Sequence, residues 1–141
     1  RLCPNVPTQY GIQTALGGYQ SIVDLVQPSG RLYKQMDLLY KRLTAIDGIT
    51  CVRPKGALYM FPKIDLSKFN IEDDEQLVYE LLVEHKVLMV PGNGFNYKGS
   101  DHFRIVTLPN LDTLNEALDR IEEYLESRRK ISVKVSQAVL Q

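Results

Sequence analysis

The segment from Leu111 to Leu125 constrains this chain more than any other. Leu111, Leu114, Ala117, Leu118, Ile121, Tyr124 and Leu125 recur every three or four positions, with charged residues between them. That spacing lays one apolar stripe along an α-helix, and such a stripe must be covered by another layer of structure. Asn110 or Asp112 supplies a side-chain cap at its start. A second stripe, Leu32, Met36, Leu39, Leu43 and Ile46, predicts a helix from Arg31 to about Asp47. Gly48 stands where a terminating C′ glycine belongs.

Ahead of these, the spacing of Ile12, Ala15, Leu16, Tyr19, Ile22 and Val23 predicts a helix from Pro7 to about Gln27, broken at Gly17-Gly18. Pro28-Ser29-Gly30 is a turn. Between the two strong stripes the pattern shortens to strands. Ile49 to Val52 and Ala57 to Phe61 flank the turn-like Arg53-Pro54-Lys55-Gly56, and residues 62–70 read as loop. Glu72 to Glu75 open a helix whose core side includes Leu77, Val78, Leu81 and Leu82. Lys86 to Val90 is a buried-strand candidate. A glycine-rich loop, Gly92 to Ser100, leads into a strand from His102 to Leu108. Beyond Lys130 the sequence alternates like a strand and then fades. The order is two helices followed by ββαββα, an α+β arrangement with helices packed on a small mixed or antiparallel sheet.

A length of 141 residues suits one domain with a real core. Seventeen basic residues balance seventeen acidic ones, so no global field favours nucleic acid or an anionic membrane. No apolar run approaches the roughly 20 residues that span a bilayer. Cys3 and Cys51 form neither a disulfide framework nor, with His85 and His102, a zinc pattern, and reduced cytoplasmic thiols are expected. The start, Arg1-Leu2-Cys3-Pro4, reads as a point inside a longer protein.

Arg104 stands out chemically. A guanidinium within the strand-like run Phe103-Arg104-Ile105-Val106 needs a partner, because buried charge is costly without one. The structural explanation is an ion pair with a core carboxylate or a place on the solvated strand face. The functional one is that its planar fork receives a ligand carboxylate bidentately. Pro91-Gly92-Asn93-Gly94-Phe95 precedes it, with glycines that allow positive φ or close approach to a ligand. Taken alone the loop reads as a plain surface loop; taken with the arginine it is a candidate floor for an anion pocket. Without a further glycine and helix the loop is no dinucleotide fingerprint. His85 is explained by a helix C-terminus, and His102 has no visible carboxylate partner. No nucleophile, metal cluster or paired carboxylates assemble.

Gly56-Ala57-Leu58-Tyr59, Pro91-Gly92-x-x-Phe95 and Phe103-Arg104-Ile105, in that order, resemble the C-terminal domain of fold-type I, class I/II aminotransferases. Asn5-Val6-Pro7-Thr8-Gln9 and Asp101 to Pro109 are similar to the bacterial glutamate–pyruvate (alanine-forming) members. The likeness covers roughly residues 1–129. It implies pyridoxal 5′-phosphate as cofactor, an amino acid and a 2-oxo acid as substrates, a homodimer, and a cytoplasmic enzyme. It implies that Arg104 grips the substrate α-carboxylate, that Asn93, Gly94 and Phe95 line the pocket beside it, and that Arg1 and Asn5 reach the neighbouring subunit's site. The Schiff-base lysine, the pyridinium-pairing aspartate and the ring-stacking aromatic are expected upstream of Arg1. The fragment is therefore expected to hold half a substrate site, with no cofactor-binding or metal-binding residue, and to be inactive alone.

The resemblance divides the chain into residues 1–30, the end of a large-domain portion; 31–48, a bridging helix; 49–130, the small α+β domain; and a tail at 131–141. The rival reading is a free-standing α+β module that binds a ligand, regulates or dimerises without catalysis. The long amphipathic helices ahead of the sheet weigh against it.

Overall fold

The two strong stripes pack on each other. Helix α3 (Arg31–Ala45) and helix α5 (Leu111–Ser127) bury Leu39 and Leu43 against Leu114, Leu118 and Ile121. Full burial of each such side chain contributes about 1.5–3 kcal/mol. Asn110 caps α5 by accepting the Thr113 N–H at 2.8 Å. Arg42 of α3 reaches Asp119 at 2.7 Å and Glu122 at 2.8 Å on α5, which fixes the crossing. Leu111, in the first turn of α5, stays exposed. The structure, a computed structural model, describes residues 3–56 and 58–130. Arg1 and the expected tail at 131–141 lie outside those residues.

The expected break in the first helical segment is present. Helix α1 (Val6–Gly17) ends at Gly18, and the short α2 (Ser21–Val26) follows. Neither buries a single residue. Tyr10, Ile12, Leu16, Tyr19, Ile22 and Val23 are all exposed. Gly48 does not sit at C′ of α3, because Ile46 closes that helix in extended backbone. Its φ of +100° serves the next turn instead. A Cβ there would stand 2.7 Å from Phe69 Cε2.

Among the described residues five short strands form the sheet layer: β1 (Ile49–Thr50), β2 (Tyr59–Met60), β3 (Lys63–Ile64), β4 (Val90–Pro91) and β5 (Phe103–Val106). Among the described residues all their pairings are antiparallel, which favours the antiparallel over the mixed alternative there. Strand β5 is central, with β2 on one side and β4 on the other. Ile49 of β1 lies opposite Ile64 of β3, and a bridge from Lys63 to His102 joins that pair to the foot of β5. The residues read as loop at 62–70 thus contain a strand and a 3₁₀ turn (Leu66–Lys68). A two-residue strand has no periodicity of its own, and β3 exists because β1 and His102 supply its partners. Of the Lys86–Val90 candidate, Val87 and Met89 are buried while Leu88 is exposed. Lys86 is left-handed (φ 59°) and closes helix α4 (Asp74–His85) instead of opening a strand.

Helix α4 buries Asp74, Leu77, Val78 and Leu81. Leu82, expected in the core, is exposed, since it lies about a quarter-turn from the mean direction of those four. The core gathers Leu77, Val78 and Leu81 with Met60, Ile64, Phe69, Phe103, Ile105, Tyr124 and Leu125. Two polar groups serve the packing. Buried Gln35 donates to the Leu108 and Pro109 carbonyls at 3.3 and 2.6 Å, tying α3 to the end of β5. Tyr124 donates to Glu80 Oε2 at 2.8 Å, and Arg128 pairs with the same oxygen at 2.7 Å.

Candidate functional site

Alternation along β5 turns Phe103 and Ile105 into the core and leaves Arg104 on the other face. Val90 lies opposite Arg104 on one side, and register with β2 brings Tyr59 opposite Val106 on the other. After β4 the chain turns through a 3₁₀ segment (Gly92–Phe95) and carries Phe95 back over the strand. The Arg104 guanidinium carbon then lies 4.6 Å from the Tyr59 ring centre and 4.5 Å from that of Phe95. The cation sits between two aromatic faces.

Among the described residues Arg104 has no ion-pair partner. No carboxylate oxygen lies within 4.0 Å of it among the described residues, and its terminal nitrogens hydrogen-bond none of them. Its Nε is buried without an acceptor. The ion-pair form of the structural reading is therefore absent among the described residues, and where the other form had a solvated strand face, Arg104 is partly buried between two rings. Positive charge held between rings, with an unengaged fork, is what a carboxylate-binding arginine requires before its ligand arrives.

Around this centre the exposed aromatic side chains form a patch. Phe61 meets Phe95 and Tyr97 edge-on at 6.2 and 5.7 Å, and stacks on His102 at 5.0 Å. His102 does have a carboxylate partner: its Nδ1 lies 2.6 Å from Asp101 Oδ1, while Lys63 Nζ holds Oδ2 at 3.2 Å. Partial burial works against ionisation of Asp101, but the hydrogen bonds from His102 and Lys63 outweigh it and hold the carboxyl below the usual carboxylate range. Adjacent strand residues point to opposite faces, so the pair was invisible to spacing.

The remaining candidates are placed as follows. Asn93 donates its side-chain amide to Glu75 and its backbone N–H to Asp74 Oδ2, so its polar atoms face α4. Gly94 is exposed, and a Cβ there would meet only Val90 Cγ1, at 3.6 Å. Neither Gly92 nor Gly94 adopts positive φ; Asn96, at φ 59°, and Ser100, at φ 50°, are the left-handed residues of the loop. Gly92 serves by close approach, with its N–H donating to the His102 carbonyl at 2.8 Å. Asn5 caps α1 by accepting the Thr8 N–H. Two clefts, of about 680 Å³ beside β1 and β3 and about 530 Å³ between α2, α3 and Pro54, leave Arg104 outside. Among the described residues no group of three acidic, histidine or cysteine side chains could hold a metal ion, and no helix is long and apolar enough to cross a membrane.

Comparison with known proteins bears on this arrangement. Residues 3–121 match the family model described as aminotransferase class I and II. The chain belongs to the class I and II aminotransferases. It is 55% identical over 130 residues to the glutamate-pyruvate aminotransferase AlaA of Haemophilus influenzae, covering 92% of this chain and 32% of that one. It is 52% identical to an alanine aminotransferase of Mycobacterium tuberculosis, covering 92% and 30%. A crystal structure of an Escherichia coli aminotransferase superposes with a TM-score of 0.82 at 50% identity, over 93% of this chain and 32% of that one. The chain thus spans about a third of the length of these relatives. Enzymes of this family work with pyridoxal phosphate.

Proposed function

We propose that this chain is the C-terminal part of a pyridoxal-phosphate-dependent aminotransferase that exchanges an amino group between an alanine- or glutamate-type amino acid and a 2-oxo acid. In this reading Arg104 grips the substrate α-carboxylate. The observation that carries it is the unpaired guanidinium held between Tyr59 and Phe95. A carboxylate meeting the fork makes two parallel charge-assisted bonds, while the rings shield the cation from water and keep its plane fixed. Donor and acceptor share that carboxylate, so one grip serves both half-reactions.

Phe95 and the backbone around Gly94 flank the approach to Arg104, and Asn93 holds them to α4. The groups gathered at Arg104 suit a substrate carboxylate. The amine beside this patch, Lys63 Nζ, is already engaged by Asp101 at 3.2 Å, and no cofactor step is assigned to this chain. When bound in the whole protein, the cofactor supplies the electron sink that transamination needs. Its lysine is proposed to lie in a preceding large domain. Residues 1–30 would end that domain, 31–48 would bridge to it, and 49–130 would form the small domain. The exposed apolar faces of α1 and α2 support this, since surfaces of that kind call for cover. A homodimeric cytoplasmic enzyme, with Arg1 and Asn5 near the partner's site, completes the proposal.

Two measurements test it. In the full-length enzyme Arg104→Lys keeps the charge but loses the fork, and kcat/KM for both substrates should fall by at least about 2 kcal/mol. Equal kcat/KM in the folded variant would refute the assignment. The 141-residue chain mixed with pyridoxal phosphate should give no stoichiometric, borohydride-trappable aldimine band near roughly 400–430 nm. Such a band, with transamination, would place the cofactor lysine within this chain.

A further inference from the structure

One residue pins both ends of the loop that carries Phe95. Asp74, the first residue of α4, is fully buried. Its Oδ2 accepts the Asn93 N–H at 3.2 Å where the loop begins. Its own backbone N–H donates to the Ser100 carbonyl at 2.9 Å where the loop ends. Gly92 allows this approach, because a Cβ there would stand 3.0 Å from Oδ2 and 2.9 Å from the His102 carbonyl oxygen. The neighbouring Glu75 takes the Asn93 side-chain amide.

Helix capping does not explain Asp74. Asp73 already performs that role by accepting the Gln76 N–H at 2.8 Å. An acid that merely complements a helix dipole stays solvated, as Glu75 does. Asp74 instead places a carboxylate in the interior with Oδ1 lacking any partner among the described residues, an arrangement that costs stability. What it achieves is geometric. With both ends of the loop fixed to α4, the ring of Phe95 is held 4.5 Å from the guanidinium carbon of Arg104.

We propose that Asp74 is a positioning residue for the arginine site: by stapling Gly92–Ser100 to α4 it sets Phe95 over Arg104, and so sets how a substrate carboxylate meets the fork. The proposal rests on the reading of Arg104 as the carboxylate grip. Asp74 touches no substrate and acts through Phe95.

The test is a set of variants of the full-length enzyme: Asp74→Asn, Phe95→Leu, the double variant, Arg104→Lys, and Tyr124→Phe as a distant stability control. Asp74→Asn should raise KM for both amino acid and 2-oxo acid about tenfold with kcat changed less than about threefold. That rise should largely disappear in the Phe95→Leu background, because both changes act on one contact. Tyr124→Phe should leave KM unchanged. An unaltered KM in Asp74→Asn, an effect additive with Phe95→Leu, or the same KM rise in Tyr124→Phe would overturn the proposal. If Arg104→Lys leaves KM and kcat/KM intact, the carboxylate grip itself falls, and the staple with it. If Asp74→Asn does not fold, Gly92→Ala carries the test from the other side. Its Cβ forces the loop away from Oδ2, so it should raise KM as Asp74→Asn would, and a folded Gly92→Ala enzyme with unchanged KM would overturn the staple.

Discussion

Replacing Arg104 by methionine should leave the fold nearly as stable as before, which separates a binding arginine from a structural one. The structure gives three contributions. Removing the buried Nε, which has no acceptor, recovers about 1–3 kcal/mol of desolvation. Losing the contacts with Tyr59 and Phe95 costs roughly 0.5–1 kcal/mol each at a half-exposed site. A flexible thioether regains part of that against the same rings. The balance runs from a loss of about 1 kcal/mol to a gain of about 2 kcal/mol before the thioether's share is added. Had Arg104 been half of a buried ion pair, its loss would cost about 3–5 kcal/mol. Urea denaturation of wild type and Arg104→Met, compared at equal m-values, measures the difference. A loss above about 3 kcal/mol would refute the reasoning and make Arg104 a stabilising residue. In the full-length enzyme the same variant should lose at least about 30-fold in kcat/KM while keeping its folded population.

Tyr124→Phe removes the hydrogen bond to Glu80 and should cost about 1 kcal/mol by denaturation. Burial works against the charge on Glu80, but hydrogen bonds from Gln76 and Tyr124 and the charge of Arg128 hold its carboxyl below the ordinary 4.5. A carboxyl lowered in the folded state contributes stability above its unfolded pKa and loses it as pH falls through the folded value. Stability should therefore drop below about pH 4.5, and less steeply in Tyr124→Phe. Gly48→Ala should cost roughly 1–2 kcal/mol, from positive φ and the clash with Phe69, whereas Gly94→Ala should change stability by less than about 0.5 kcal/mol. The backbone amides of Ile12, Leu16 and Ile22 should exchange fast by hydrogen exchange, and the chain should self-associate by light scattering. A strict monomer with those amides fully protected would show that α1 and α2 need no cover.

Helices α3, α4 and α5 were legible in the sequence because helical hydrogen bonds close within four residues. The stripe, the cap at Asn110 and the acidic start of α4 all sit inside one local window. Arg104 was legible for a related reason, since strand alternation alone puts it on the face away from Phe103 and Ile105. The sheet was not readable in the same way. Two-residue strands such as β3 have no period, and Lys63–Ile64 becomes a strand only when Ile49 and His102 arrive as partners. The site follows the same rule. Whether Arg104 meets a carboxylate, two rings or water depends on the register that sets Tyr59 opposite Val106 and on the turn that returns Phe95 over β5. Asp74 looked like one more acid in a helix's first turn. Its burial, and its hold on Asn93 and Ser100, arise from segments distant in the chain that meet only once the core has formed.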